Sequence, residues 1–251
     1  MLALSAFIGG LVIGPWLGIL VDRVVPRARL APEHRCVSCA TGLSARSLLP
    51  VANWFLACAA CQRRQFRRYP PVDVATAALF ALLAVRFEWS WMLGPYLAVA
   101  AVLVVLSAID IETHLLPNRV MWPAILGGLF VVLVMSGQLD NQEGLRSALL
   151  GAAIFGGFIG AAHLAYEHGM GRGDVKLSVL LGLFVGWTEP NALMATRLVL
   201  YAIVLALLGG GVVGLVYNTV RRRGRTEIPF GPALAVSAMA VIVVSGAISG
   251  S

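Results

Sequence analysis

Two aspartates, Asp110 and Asp174, are the first candidates for chemistry because each lies at the edge of a long apolar run in this 251-residue chain. An ionisable side chain at the end of a membrane-length apolar run is costly, and by default it marks a functional site. Two carboxylates that reach the same depth on separate helices can share one proton and activate a water molecule. The pair therefore predicts hydrolysis by a dyad in which one carboxylate is ionised and the other is protonated.

Each aspartate also has a structural interpretation. A carboxylate near a helix C-terminus opposes the helix dipole, so a purely structural Asp110 would need a cationic partner such as Arg119. Asp174 directly precedes an apolar run, where an aspartate is a favoured helix N-cap and the glycines before it would shape a turn. Only the pairing of the two aspartates favours the functional interpretation of Asp174.

Three residues close to Asp174 have predicted supporting roles. Gly171 and Gly173 lack a Cβ atom, so they would let the backbone and an extended substrate approach Asp174 closely. Lys176, the only lysine in the chain, would favour the ionised dyad, contact lipid phosphate or serve as a cytoplasmic anchor. The remaining titratable residues of this region are expected to be interfacial polar side chains: Glu112, His114, His163, Glu167 and His168.

Four cysteines form a second candidate site. Cys36 and Cys39 make one Cys-x-x-Cys pair, and Cys58 and Cys61 make another after an 18-residue spacer. This spacing is typical of structural zinc sites in which four thiolates bind one tetrahedral ion. Four cysteine ligands leave no open position for water, so the predicted zinc is structural rather than catalytic. The alternative is two thiol pairs without metal or a redox pair, although no βαβ pattern surrounds either motif.

The composition places these residues in a membrane protein. Hydrophobic residues make up 59% of the chain and charged residues 12%, which excludes a soluble domain with a solvated surface. Apolar runs predict eight membrane spans, at residues 2–21, 72–87, 96–111, 120–135, 147–166, 175–187, 192–217 and 229–248. The sixth span is short, so we expect it to be tilted or to extend into residues 169–174. The predicted fold is an all-α polytopic membrane protein with about eight transmembrane helices.

The basic residues predict the orientation of the spans. With a first loop of nine arginines in the cytoplasm, sixteen of the nineteen basic residues lie inside, and only Arg86, Arg146 and Arg197 lie outside. Both termini are then outside, and Asp110 and Asp174 both lie at the cytoplasmic face. Because topology explains the net charge of +7, we predict no nucleic-acid partner, and the lipid bilayer is the expected surrounding.

Three regions follow from these patterns. Residues 1–21 are predicted to form the first transmembrane helix, residues 22–71 a small cytoplasmic zinc-binding loop domain, and residues 72–251 a membrane domain of seven helices. The first span has no basic residue before it, so we expect a retained helix rather than a cleaved signal peptide. The loop between the first two spans would lie in a reducing compartment, which disfavours disulfides.

Several motifs together resemble those of the type IV prepilin peptidases. Residues 170–177, Met-Gly-Arg-Gly-Asp-Val-Lys-Leu, are similar to their GxGD segment, and the stretch from Asp110 to Leu116-Pro117-Asn118 is similar to their first aspartate motif. Residues 7–14, the double Cys-x-x-Cys motif, residues 68–73 and residues 228–232 resemble their first span, cytoplasmic loop, loop exit and last span. The resemblance covers nearly the whole chain.

This resemblance implies an activity and assigns its residues. Asp110 and Asp174 would be the catalytic aspartates of an endopeptidase in the bacterial cytoplasmic membrane. Its substrates would be prepilins or pseudopilins of type IV pili or type II secretion, cleaved at the cytoplasmic face just after the glycine of the leader. Many members also methylate the new N-terminus with S-adenosylmethionine, a function associated with the cysteine loop. This chain departs from the family at Leu56-Ala57 and at Asp73, so methyl transfer stays open.

Two other functional classes remain as alternatives. A non-enzymatic membrane scaffold for pilus or secretion assembly would use the zinc loop without needing a carboxylate dyad. Proton-coupled transport also uses paired membrane carboxylates, but a transporter should show repeated spans with acids at the bilayer midplane. Both acids here lie at the ends of predicted spans, which favours the peptidase. The sequence predicts neither the oligomeric state nor the particular prepilin.

Overall fold

A computed structural model describes residues 1–24, 60–62, 70–165, 171–221 and 230–249. These residues form eight α-helices and no strand: α1 (Leu2–Val24), α2 (Pro70–Phe87), α3 (Leu93–Thr113), α4 (Asn118–Gln138), α5 (Gln142–Ala165), α6 (Arg172–Trp187), α7 (Ala192–Arg221) and α8 (Gly231–Ser249). Each predicted span overlaps one of these helices. The prediction of an all-α chain is therefore confirmed for the part that the structure describes.

Four helices are long and apolar enough to cross a membrane when only the described residues are considered. They cover Leu93–Thr113, Asn118–Gln138, Gln142–Ala165 and Ala192–Val212, and two shorter apolar stretches are Leu2–Gly18 and Gly231–Gly246. Large apolar side chains remain exposed on these helices, such as Leu126 and Phe130 of α4. Apolar surface of this kind suits a lipid surrounding, so the chain is a membrane protein. The number of eight spans stays a prediction.

The chain divides into two compact units, Met1–Ala108 and Ile109–Ser251. In the first unit α1 packs along α2. A Cβ atom on Gly10 would lie 2.6 Å from the Cα of Ala77, and one on Gly14 would lie 2.7 Å from the Cα of Asp73. Small residues let two membrane helices approach at their backbones, and these two glycines have that role. The division of the chain into regions 1–21, 22–71 and 72–251 stays a prediction from the sequence.

In the second unit α6 has the central position, where it contacts α4, α5, α7 and α8. Its contact with α5 is close because Gly182 of α6 meets the backbone of Gly151, and Gly186 meets the backbone of Ser147. A transmembrane helix normally needs about 20 residues, whereas α6 has 16. Enclosure by other helices explains how so short a helix is accommodated. The helix begins at Arg172, three residues before the predicted start at residue 175, and its crossing of the membrane stays a prediction.

Two contacts hold α4 against the C-terminal half of α6, the half that lies farther from Asp174. The indole N–H of Trp187 donates a 3.1 Å hydrogen bond to the Oγ of Ser136, and both side chains are buried. One turn nearer the middle, a Cβ atom on Gly128 would lie 2.9 Å from the ring of Phe184. The position of α4 relative to α6 is thus defined by packing as well as by hydrogen bonding.

Candidate active site

Asp110 lies in the last turn of α3, three residues before the helix ends at Thr113. Its backbone carbonyl accepts a 2.8 Å hydrogen bond from the N–H of His114. His114 has a φ of 52°, the left-handed conformation that commonly ends a helix. Because a carboxylate at this end opposes the dipole of α3, the side chain of Asp110 needs a favourable partner from another element.

That partner is the backbone of α8. The N–H of Gly231 donates a 2.9 Å hydrogen bond to the Oδ2 of Asp110 in the protein interior, where Asp110 is only 5% exposed. Gly231 is the first residue of α8, so the carboxylate faces the positive end of that helix dipole, which offsets the opposing dipole of α3. Arg119, the cationic partner considered from the sequence, is exposed and is not a partner of Asp110.

Asp174 lies in the first turn of α6 and is 7% exposed. Its Oδ2 accepts a 3.1 Å hydrogen bond from the N–H of Gly171, and its own N–H donates a 3.1 Å bond to the carbonyl oxygen of Gly171. Gly171 is the N-cap of α6, so the interpretation of Asp174 as the N-cap is wrong by three residues. A carboxylate in the first turn is favoured by the helix dipole. Each aspartate therefore faces the N-terminus of a helix.

The two carboxylates are close enough for their charges to interact. Both belong to the second unit, and both are buried. Two like charges that are buried near one another repel strongly, so a single proton shared between them lowers the energy of the pair. The structure thus brings together the two aspartates that the sequence singled out, although 63 residues separate them along the chain.

Two histidines extend this cluster. His114 interacts electrostatically with Asp110, and His163 of α5 interacts in the same way with Asp174. The Nδ1 of His114 is buried and has no hydrogen-bond partner among the described residues. We expected both histidines to be interfacial polar side chains, whereas the structure places each beside a carboxylate. Of the other residues in that expectation, Glu112 is half-buried and Glu167 and His168 lie outside the described residues.

The predicted supporting glycines have different surroundings. A Cβ atom on Gly173 would lie 2.7 Å from the Cβ of Leu116, so Gly173 packs directly against the segment that follows Asp110. A Cβ atom on Gly171 would meet only ordinary contacts, the nearest at 3.5 Å from the Oδ2 of Asp174. Close packing therefore accounts for Gly173, and a role of Gly171 in substrate approach stays a prediction.

Lys176 lies one half-turn beyond Asp174 and is half-buried. Its Nζ donates a 2.6 Å hydrogen bond to the Oδ1 of Asn118, and it lies 5.5 Å from the ring centroid of Trp122. Both partners belong to α4. Lys176 therefore connects the two aspartate motifs, a contact that its predicted roles as a dyad cation or lipid anchor did not include.

The predicted zinc site lies mostly outside the described residues. Cys36, Cys39 and Cys58 are outside them, and Cys61 is half-buried. Within the described ranges, no three His, Cys, Asp or Glu residues are placed to hold a metal ion, and this includes the aspartate and histidine cluster. The zinc assignment stays a prediction from the cysteine spacing.

One residue of the site was missed from the sequence. Gly231 belongs to the Pro-Phe-Gly-Pro segment at residues 229–232, which resembled the last span of the prepilin peptidases but had no assigned role. The hydrogen bond that it makes joins residues 121 positions apart. No spacing rule predicts such a pairing, although a glycine between two prolines before an apolar run marks an unusual helix start.

Comparisons with known proteins decide the family. A model of the type IV leader peptidase family matches residues 97–220, and a model of the bacterial N-terminal domain of these peptidases matches residues 8–87. A prepilin leader peptidase/N-methyltransferase of Neisseria gonorrhoeae is 31% identical over 219 residues, which cover 83% of this chain and 70% of that protein. The chain belongs to the type IV leader peptidase family. This confirms the resemblance stated from the motifs and shows that the protein is a peptidase.

Other relatives of this leader peptidase match over most of its length. A type 4 prepilin-like proteins leader peptide-processing enzyme of Escherichia coli is 27% identical over 261 residues, covering 94% of this chain and 92% of that enzyme. A prepilin leader peptidase/N-methyltransferase of Myxococcus xanthus is 29% identical over 240 residues, which cover 90% of this chain and 67% of that protein. No solved structure matches the chain.

Proposed function

We propose that this leader peptidase is a membrane aspartic endopeptidase that removes the leader peptide of type IV prepilins or pseudopilins. The observation that carries the proposal is the pairing of Asp110 and Asp174, two buried carboxylates from separate helices whose charges interact. Family membership supports the reaction class, and the names of the relatives support the substrate class.

In the proposed mechanism the dyad holds one proton. The ionised carboxylate takes a proton from a water molecule, and the water oxygen attacks the scissile carbonyl carbon. The protonated carboxylate donates a hydrogen bond to the carbonyl oxygen as negative charge develops there. Collapse of the tetrahedral intermediate breaks the C–N bond, and a proton moves from the dyad to the leaving amine. The products are a leader with a free carboxylate and a mature protein with a free amine.

The hydrogen bonds of the two aspartates support a mechanism in which one carboxylate accepts a proton from water and the other donates a hydrogen bond to the substrate. Each carboxylate accepts a backbone N–H through Oδ2, from Gly231 for Asp110 and from Gly171 for Asp174. Backbone donors hold a carboxylate in one orientation without adding a titratable group of their own. Among the described residues no hydrogen bond to the Oδ1 of either carboxylate is observed, which leaves one oxygen of each residue for water or substrate.

The proposed cleavage site faces the cytoplasm of a bacterial cell. The sixteen-to-three distribution of basic residues supports this orientation, with both termini outside. Membrane-impermeant thiol reagents added to intact cells should therefore leave Cys36 and Cys61 unlabelled and should label them after lysis and removal of zinc with a chelator. Labelling before lysis, with cytosolic control proteins unlabelled, would show that the orientation is inverted.

The names of the relatives support a second reaction at the new N-terminus. In it, the amine exposed by cleavage would attack the methyl carbon of S-adenosylmethionine, and S-adenosylhomocysteine and a proton would leave. The departures at Leu56-Ala57 and Asp73 lie in or next to the loop that the family resemblance associates with this reaction. Peptide cleavage by the dyad does not depend on it.

The cysteine loop is proposed to bind one structural zinc ion. Purified protein is expected to contain about one zinc per chain with sulfur ligands only, and Cys58→Ala should lose the metal because three thiolates no longer complete the tetrahedron. Elemental analysis of the two proteins measures this directly. An unchanged zinc content in Cys58→Ala would rule out the four-thiolate site.

One experiment tests the proposed function as a whole. Purified protein is incubated with a candidate prepilin, with and without S-adenosylmethionine, and the products are weighed by mass spectrometry. Loss of the leader shows the peptidase, and a further gain of one methyl group, only with the cofactor, shows the transferase. An intact prepilin, together with continued binding of the prepilin to the protein, would instead favour the assembly scaffold.

A further inference from the structure

The geometry points to Lys176 as a positioning residue that sets the distance between the two aspartates through Asn118. The inference rests on the proposed function of Asp110 and Asp174. Lys176 follows Asp174 by two residues in α6, and Asn118 follows Asp110 by eight residues at the start of α4. The 2.6 Å hydrogen bond between their side chains therefore connects the two aspartate-bearing segments close to both carboxylates.

Lys176 has a second contact that defines where its side chain lies. Its Nζ is 5.5 Å from the ring centroid of Trp122, one helical turn beyond Asn118 on α4. An ammonium group near an aromatic face is attracted by the ring quadrupole. The lysine therefore contacts two successive turns of α4, which a side chain that only reaches toward lipid phosphate would not need to do.

A neighbouring contact supports the same connection without using charge. Gly173 packs against Leu116, and a Cβ atom there would lie 2.7 Å from the Cβ and 3.1 Å from the Cδ1 of Leu116. Leu116 lies two residues before Asn118. The segment that bears Asp174 thus meets the Asp110 motif at two adjacent points, one apolar and one polar.

The stretch between Asp110 and Asn118 is itself held by local hydrogen bonds. The hydroxyl of Thr113 donates to the carbonyl of Ile109 at 2.9 Å, and the N–H of Leu115 donates to the Thr113 hydroxyl at 3.3 Å. At the start of α4, the N–H groups of Val120 and Met121 both donate to the carbonyl of Pro117. These bonds order the chain on both sides of Leu116, so we expect a displacement of Asn118 to change the position of Asp110.

Four variants, assayed for prepilin cleavage, separate this role from that of a lipid anchor. Lys176→Met and Asn118→Leu each remove the hydrogen bond, and each is expected to lower kcat about tenfold at unchanged KM, because a displaced dyad loses its reactive geometry. The double variant should be no slower than the slower single variant, because both changes remove the same hydrogen bond. Asn118→Asp keeps an acceptor oxygen and should recover most of the kcat that Asn118→Leu loses.

Arg119 supplies a matched control for charge. It is exposed, it follows Asn118 directly, and Arg119→Gln removes a positive charge from the same face without removing the contact. We expect its kcat to equal that of the parent. An equal loss of kcat in Arg119→Gln, or a parental kcat in Lys176→Met, would overturn the inference. An effect of Lys176→Met on KM alone would overturn it too, as would a double variant whose loss of kcat is the product of the two single losses.

The Asp110→Asn variant, assayed in parallel, separates failure of the inference from failure of the proposed function. Cleavage at the parental rate by Asp110→Asn would contradict the proposed function itself. An inactive Asp110→Asn together with an unimpaired Lys176→Met would contradict only the positioning role of Lys176.

Discussion

Asp110→Asn and Asp174→Asn are each expected to abolish prepilin cleavage, with kcat/KM falling by about 10³-fold or more. Asparagine keeps the size of the side chain and an acceptor oxygen for the N–H of Gly231 or Gly171, but it cannot exchange a proton with water. Because the two aspartates act as one unit, the double variant should be no slower than either single variant. Cleavage rates measured by mass spectrometry on purified proteins give the result.

The same variants have a control that excludes a folding defect. Their thermal stability in detergent and their zinc content should match those of the parent, because neither change removes a buried contact or a cysteine. If either variant cleaved prepilin at near the parental rate, the dyad would be refuted, and the scaffold interpretation would become the stronger one.

Gly231→Ala is expected to lower kcat about a hundredfold while the protein stays folded. The added Cβ atom would lie 2.7 Å from the Oδ2 of Asp110 and 3.2 Å from its Cγ, so the carboxylate must move or lose its hydrogen bond to the backbone of α8. Alanine has a higher helix propensity than glycine, by about 1 kcal/mol within a helix, so helix formation itself should not suffer. Steady-state kinetics with a prepilin peptide measure the effect.

Gly157→Ala is the matched control for this change. Gly157 lies in α5 with no neighbour within 4 Å of an added Cβ atom, so alanine there is expected to leave kcat unchanged. If Gly231→Ala kept the parental rate, the hydrogen bond to Asp110 would have no role in catalysis. A fall in melting temperature that accounts for the lost activity would instead assign Gly231 to packing.

Sequence by itself determined the helical elements and singled out Asp110 and Asp174 as candidates. Long apolar runs favour helices, because a helix satisfies its own backbone hydrogen bonds in lipid, and all eight runs overlap helices. Asp110 and Asp174 were identifiable because a carboxylate next to such a run has a cost that usually reflects a function. Their motifs also carried the family, which the comparisons confirm.

The tertiary structure alone decided which residues support the aspartates. Gly231 is 121 positions from Asp110, His163 lies on a different helix from Asp174, and Lys176 meets Asn118 across 58 positions. Periodicity and spacing report which face of one helix is apolar, but they do not report which faces of separate helices meet. The helix ends likewise depended on backbone hydrogen bonds that sequence patterns locate only to within several residues, which is why Asp174 lies inside α6 rather than at its N-cap. Contacts between distant segments form only when the helices pack, and packing placed the backbone N–H of Gly231 where the carboxylate of Asp110 could be buried. The N–H of Gly171 reaches Asp174 locally, within the first turn of α6.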